Sequence, residues 1–371
     1  MAVDVIQRPT SNLWKDYLNC NSISVMAKKI GRVYKKFDQS SFLKALLTDA
    51  FFQMELKERI NAIAATLRNF LPEDFVKTIT IFKKVAPTLG EFENWALLKY
   101  IELYGIDNFD ESIKAMKELT QFSTAEFAIR LFMIRYTKQM LSLMNQWVND
   151  PNEHVRRLAA EGSRPRGVWT EHIISFKKNP RPVLQLLEKL KGDPSLYVRK
   201  AVANNLNDIS KDHPDLVIKL CKRWKKDNNK HTDWIIKHAC RTLLKKGDLR
   251  VLSVLGFTLS PRIKIYNFTT SSKKVKINSG YTFSFSIKSL SKKKQKLAID
   301  YKIHYVSKNG KKSLKVFKLA EKEIPAGNTL ALVKKHHFKD NTSRKHYTGM
   351  HHLELIINGI KYKSINFNII I

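Results

Sequence analysis

From about Ser22 to Phe257, apolar residues recur at three- and four-residue spacing, as in FLKALLTDAFFQMELKERINAIAATL and AEFAIRLFMIRYTKQMLSLMNQWV. That period predicts amphipathic helices. Prolines interrupt it at Pro72, Asp150-Pro151, Asp193-Pro194 and His213-Pro214, where a helix does not run on. After Leu259-Ser-Pro261 the period drops to two. KVKINSGYTFSFSIKS and LAIDYKIHYVS alternate as strands do, with Asn309-Gly310 and Asn358-Gly359 between such runs as hairpin turns. This predicts a small β-sandwich of about seven short strands. The expected domains are therefore 1–259, helical, and 262–371, all-β.

Two of the helical breaks are related. DPNEHVRRLAA (150–160) and DPSLYVRKAVA (193–203) match at Asp, Pro, Val, Arg and the last Ala, displaced by 43 residues, and WIIKHACRTLL (234–244) is a weaker third copy without the Asp-Pro start. A helical repeat of about 40–47 residues is the HEAT/armadillo signature. The fold class expected is mainly α, a HEAT-like helical-repeat solenoid followed by an immunoglobulin-like sandwich.

Charge adds a partner. The formal net charge is +34, of which 24 Lys/Arg and 5 Asp/Glu from Arg262 onward contribute +19. Such an excess points to a polyanion, nucleic acid before an anionic membrane surface. The basic segments 289–296, 307–312 and 334–346 are candidate contacts of the sandwich, Lys292, Lys293 and Lys294 among them. No apolar run is long enough for a transmembrane helix, and MAVDVIQRPTSNLW lacks the regions of a signal peptide. Cys20, Cys221 and Cys240 fit no zinc pattern and suggest reduced thiols. The histidines 304, 336, 337, 346, 351 and 352 lack metal-site spacing and read as surface residues. The expectation is a cytoplasmic monomer with no metal, no cofactor and no membrane.

Within HVRRLAAEGSRPRGVW (154–169) a carboxylate stands in a basic segment. At 100° per residue from Val155 and Val198, Glu161 falls at about 240° and Asp208 at about 280°, on one flank of the two aligned helices. Stacked repeats would bring them together on one groove wall. Arg156, Arg157, Arg164, Arg166, Arg199 and Lys200 are the candidate phosphate contacts there. Each residue also has a plainer reading. Glu161 can pair with Arg157, Asp208 can cap its helix, Trp169 can be core, and Ser123-Thr-Ala-Glu126 can be a capping box.

HVRRLAAEGSRPRGVW, the Asp-Pro repeats and YVRKAVANNLNDISKDHP closely resemble the AlkC family of DNA alkylation repair glycosylases, over nearly the whole helical part. One branch of that family carries a C-terminal immunoglobulin-like domain. Family members often read Leu-Pro-Trp where this chain has Gly167-Val168-Trp169. The resemblance implies removal of 3-methyladenine and 3-methylcytosine from duplex DNA, with Glu161, Trp169, Asp208 and Glu126 at active-site positions. Those residue types suit the chemistry. An N3-methylated base is a cation and leaves readily, and a carboxylate beside C1′ stabilises the oxocarbenium-like sugar and orients water. The alternative is a non-catalytic HEAT-repeat scaffold for DNA or protein.

Overall fold

The computed structural model describes residues 13–307, 309–310, 312–340 and 345–370. The segment read as lacking a signal peptide lies outside them up to residue 12, as do parts of the basic segments 307–312 and 334–346. The chain forms two compact units. One runs up to Asp212 and includes Asn229–Ile235; the other comprises His213–Asn228 and everything from Ile236.

The first unit is a helical repeat array. Its helices stop where the prolines fall: Leu56–Arg68 gives way to Phe75–Val85 across Pro72, and Glu153–Gly162 and Leu196–Ile209 each begin just after an Asp-Pro. Two runs that read as continuous are broken further. Residues 39–68 form three helices, and the run 125–148 divides at Tyr136 into Ile129–Arg135 and Thr137–Trp147. Ser123 starts no helix, so the expected capping box is absent.

The repeat motif has a local physical cause. Asp150 Oδ1 accepts from Asn152 N at 2.9 Å, and Asn152 Oδ1 caps the helix through His154 N at 2.9 Å. One repeat later, Asp193 Oδ1 accepts from Ser195 N at 2.8 Å, and Ser195 Oγ caps through Tyr197 N. In both copies the matched arginine folds back onto its own turn. Arg156 donates to the carbonyls of Asp150 and Pro151, Arg199 to those of Asp193 and Pro194. Arg156 also holds Asp193 of the next repeat at 2.7 Å. Asp-Pro-x-x-x-Val-Arg is thus a capped turn with its own clamp.

The second unit contains helices Pro214–Trp224, Arg241–Lys245 and Leu249–Val254 and eight strands among the described residues. The strands are β1 (Ile263–Thr270), β2 (Lys274–Lys276), β3 (Gly280–Ser289), β4 (Gln295–Val306), β5 (Lys312–Ile324), β6 (Thr329–His337), β7 (Gly349–Ile357) and β8 (Ile360–Ile370). They form a three-stranded sheet, β1-β3-β6, and a five-stranded sheet, β2-β8-β7-β4-β5, antiparallel except for β2 against β8. Tyr281, Phe283, Phe285 and Ile287 of β3 point inward to Tyr301, Leu353 and Phe367 of the other sheet, as the period of two requires. Asn358 (φ 48°) and Gly359 (φ 81°) form the left-handed β7–β8 turn. A Cβ on Gly359 would stand 2.8 Å from Gly247 Cα, so only glycine fits. The change from helix to strand falls where the sequence period changes. The helix Leu249–Val254 nevertheless belongs to this unit, because Leu252 and Phe257 pack on Ala298 and Asn358 donates to the Thr258 carbonyl at 2.6 Å.

The histidines correct the sequence reading. His336, His346 and His351 are buried, His336 between the Tyr301 and Tyr305 hydroxyls at 2.9 and 3.2 Å. Period-two alternation places His336 of β6 and His351 of β7 on inward positions that spacing for metal motifs does not consider, whereas His346 lies in the connection between those strands. No helix of the described residues is long and apolar enough to cross a membrane.

Candidate active site

Glu161 lies in the last turn of helix Glu153–Gly162, and Asp208 in the last turn of helix Leu196–Ile209. Both carboxylates are buried, 8% and 3% exposed. A single side chain joins them: Arg164, itself buried, donates to Glu161 Oε1 and, through Nε and Nη2, to Asp208 Oδ2 at 2.7 Å. Lys211 reaches Asp208 Oδ1 at 2.9 Å. The second oxygen of Glu161 has no hydrogen-bond donor among the described residues. Burial pushes the Glu161 carboxyl above its ordinary range, against the pull of Arg164 and Arg157. The shared flank computed from helical phase is therefore real, and neither plainer reading applies. Glu161 pairs with Arg164 rather than Arg157, and the Asp208 carboxylate, instead of capping the turn before Lys211-Asp-His-Pro214, accepts from the side chains of Arg164 and Lys211.

The loop that follows is organised by Arg130, which sequence reasoning passed over. Its guanidinium donates to the carbonyls of Arg164 at 2.9 Å and Glu171 at 2.5 Å. Burial pulls Arg130 down to about 10. Its signal in the sequence was an arginine in the apolar run AIRLFMIRY, on a helix face that should be core. The loop packs close to this group: a Cβ on Gly167 would stand 3.0 Å from Arg130 Cζ. The Gly167 that departs from the family's Leu-Pro-Trp thus sits where a larger side chain would need the loop to move.

Trp169 ends this loop half-exposed, with φ +60°, a region a bulky side chain seldom adopts. Lys57 Nζ holds its carbonyl at 2.7 Å, and Trp14 meets its ring edge-on at 6.2 Å. Trp169 is not core. It stands between two clefts of about 930 and 890 Å³ that share Trp95, Phe127 and Trp169. Glu126 lines the second cleft, paired with Arg157 and accepting from Thr124 Oγ1 at 3.0 Å. Arg157 also lies over the Tyr197 ring at 5.1 Å.

The structure thus joins Glu161 to Asp208 through Arg164 and places Glu126 and Trp169 together on the second cleft, whose lining includes neither Glu161 nor Asp208. The basic residues expected at phosphates divide differently. Arg156 and Arg199 are clamps of their own turns. Arg164 is buried on two carboxylates. Arg157 is committed to Glu126 and Thr124. All four, expected at phosphates, have internal partners here; spacing does not distinguish a guanidinium that folds back from one that reaches outward. Arg166 is held by Asp212 at 2.6 Å but remains partly exposed. Lys200 is exposed. Lys292 and Lys293 are exposed, and Lys294 pairs with Glu323 at 2.7 Å on the surface.

Comparison with known proteins gives this geometry a family. Residues 108–243 match the family model described as DNA alkylation repair enzyme, and residues 264–371 the model described as the C-terminal Ig-like domain of YhaZ. The chain is 41% identical over 355 residues to the uncharacterized protein YhaZ of Bacillus subtilis (strain 168), covering 96% of this chain and 99% of that one. It superposes with a TM-score of 0.93 and 36% identity on the Pseudomonas fluorescens alkylpurine DNA glycosylase AlkC bound to DNA containing an abasic site analog, covering 97% of this chain and 100% of that one. The chain belongs to the AlkC-type DNA alkylation repair family, in the branch with a C-terminal immunoglobulin-like domain.

Proposed function

We propose that this protein is a monofunctional DNA glycosylase of base excision repair. It acts in the cytoplasm as a monomer and hydrolyses the N-glycosidic bond of cationic N3-alkylated bases, 3-methyladenine and 3-methylcytosine, in duplex DNA. The observation that carries the reading is the pair Glu161 and Asp208. Two successive repeats deliver these buried carboxylates to one guanidinium, that of Arg164, whose carbonyl is held by the same Arg130 that lines a cleft with Trp169. A scaffold has no use for such a pair, since burying charge is costly and a well-packed apolar pair would hold the repeats as well.

The chemistry follows from the residue types. The methylated base carries positive charge while bonded to the sugar. Cleavage leaves the bond pair on the base, which departs neutral, and the positive charge passes to C1′. Carboxylates in a dry site stabilise that cation at the moment it forms. Water then attacks C1′ and its proton passes to a carboxylate. A carboxyl raised by burial, as Glu161 is, accepts a proton at neutral pH more readily than an ordinary one. The Trp169 indole packs on the sugar and attracts the cation through its face. The support from comparison is the likeness to AlkC, whose solved complex holds DNA with an abasic site analog.

The test is release of free base from duplexes carrying 3-methyladenine, 3-methylcytosine or 7-methylguanine, with enzyme in excess. The first two bases are released by the wild-type protein. Asp208→Asn keeps the shape and removes the charge, so single-turnover excision drops about a hundredfold or more, ~2.7 kcal/mol in barrier. Near wild-type excision by a variant with a normal thermal melt would sink the assignment.

A further inference from the structure

The third helical copy has a thiol where the other two have a clamp. Aligned on WIIKHACRTLL, Cys240 stands at the position of Arg156 and Arg199. Those arginines hold the carbonyls of their own turns, and Arg156 also ties its repeat to the next through Asp193. In place of a carbonyl, the Cys240 side chain meets a second thiol: its Sγ donates to Cys221 Sγ at 3.7 Å. Cys221 comes from helix Pro214–Trp224, and Cys240 from the break between Lys230–Ala239 and Arg241–Lys245. Both belong to the second compact unit and both are wholly buried. Cys20, the remaining cysteine of the chain, is exposed.

Two sulfurs in contact need only a short movement to bond. A disulfide is about 2.05 Å long, so the pair has to close by about 1.7 Å. Cys240, with φ −80° and ψ 1°, lies between two helices, where a shift of that size unwinds neither. The hydrogen bond from Cys240, together with burial, pushes the Cys221 thiol well above its ordinary range. The pair is therefore guarded against bulky charged disulfides, which neither fit a dry core nor find a ready thiolate there. A small uncharged oxidant meets no such barrier of size or charge.

We propose that Cys221 and Cys240 are a peroxide-oxidisable pair, and that their disulfide supplies the third copy with the tie that its missing arginine leaves out. One sulfur takes an oxygen from hydrogen peroxide as the O–O bond breaks, giving a sulfenic acid and one water. The second thiol attacks the sulfenic sulfur. The S–S bond forms, and the departing hydroxyl leaves with the thiol proton as a second water. Two thiols and one peroxide thus give one disulfide and two waters; the sulfurs lose two electrons and the peroxide gains them. Because the second thiol is already in contact, the sulfenic acid is trapped before it oxidises further. A reducing dithiol reverses the bond. The pair is independent of the glycosylase reading.

The experiment uses the full chain with Cys20→Ser, so that the pair holds the only thiols. The protein is treated with hydrogen peroxide or with glutathione disulfide and quenched. Remaining thiols are then alkylated in denaturant and read by mass spectrometry, with melting midpoints measured in parallel. The expected result is that peroxide removes both alkylatable thiols and joins the peptides that contain Cys221 and Cys240. The midpoint rises by about 5 °C, and dithiothreitol reverses both changes. Glutathione disulfide reacts at least about tenfold more slowly. Cys221→Ser and Cys240→Ser each abolish the peroxide-induced rise, and each leaves a single thiol that runs on to sulfinic acid. Two alkylatable thiols after a treatment that oxidises Cys20 in the wild-type chain overturn the proposal. So does a cross-link that leaves the midpoint unchanged, or a rate with glutathione disulfide equal to that with peroxide. Should a serine variant of the pair lose its fold, the cross-link and midpoint of the Cys20→Ser chain, with and without dithiothreitol, decide alone.

Discussion

Arg164 shows how much one side chain carries here. It pairs with two buried carboxylates from different repeats, and removing one partner of a buried ion pair costs about 3–5 kcal/mol. Arg164→Gln is expected to lose that much in urea titrations at pH 8. The deficit should shrink at pH 5. Burial already holds the Glu161 carboxyl above its ordinary value and Arg164 opposes that, so without the guanidinium the folded Glu161 carboxyl rises further and the stability it contributes is present at low pH and lost as pH rises. An equal deficit at both values would show that Arg164 acts by packing alone. Asp300 in β4 gives a second residue with a defined window. Burial raises its carboxyl from 3.8 to about 6, against the pull of Lys318 and Lys245. The folded state keeps the proton up to about pH 6 and the unfolded state only to about 3.8. Stability is therefore full below that range and falls as pH climbs through it. Asp300→Asn should melt with wild-type protein at pH 3.5 and above it from pH 7, by at most about 3 kcal/mol. Identical melting at every pH would mean that Asp300 is better solvated than its burial implies. Of the residues in the candidate site, Glu161 and Asp208 were placed by helical phase alone. Their bridge was not, because Arg164 follows the helix and phase says nothing about a side chain that turns back.

At the scale of the element, the repeat was visible as an Asp-Pro start and a Val-Arg pair 43 residues apart, but its arginines were read outward. The clamp seen in both copies makes a direct test. Arg156→Ala removes donors to two carbonyls and to Asp193. It should lower stability by about 2–4 kcal/mol in denaturant titration while leaving the salt dependence of DNA binding unchanged. A flattened salt slope with unchanged stability would return Arg156 to the phosphate backbone. The third copy at 234–244 has no Asp-Pro start, and the structure divides it at Cys240 into Lys230–Ala239 and Arg241–Lys245. Asn229 Oδ1 still caps the start of the first of these, accepting from His231 N at 2.8 Å and Thr232 N at 3.3 Å, so the cap survives where the Asp-Pro turn of the other two copies does not. Tyr136 shows a further limit. Its φ of −119° and ψ of 42° end a helix inside an unbroken apolar period, and periodicity does not register a single residue that leaves the helical region. In the sandwich, Asn-Gly at 358–359 was legible because that turn requires two positive φ angles. The buried His336 was not, because the Tyr301 and Tyr305 hydroxyls that hold it come from a strand 35 and 31 residues away.

At the scale of the whole molecule, the charge imbalance and the change of period announced a basic strand-rich tail after a helical array, and the family bears that organisation out. Where the compact units part was hidden, since the last helices join the sandwich through Leu252, Phe257 and the Asn358 side chain, contacts no local pattern encodes. The charge itself now falls more heavily on the sandwich, because Arg156, Arg157, Arg164 and Arg199 are spent on internal partners. If duplex DNA is held by the +19 carried from Arg262 onward, the exposed lysines 292–294 are the sharpest place to look. Each phosphate contact releases a counterion and adds about 0.9 to the slope of log affinity against log salt. Lys292→Ala, Lys293→Ala and Lys294→Ala combined should lower that slope by about 1–3 in fluorescence anisotropy with damaged and undamaged duplexes alike. Single-turnover excision at saturating enzyme should change little, because the carboxylates lie in the other unit. An unaltered slope would place these lysines off the DNA. A loss confined to damaged duplexes would mean that they report on the lesion, and the electrostatic role would pass to Arg166 and Lys200, two candidate contacts in the helical array that are at least partly exposed.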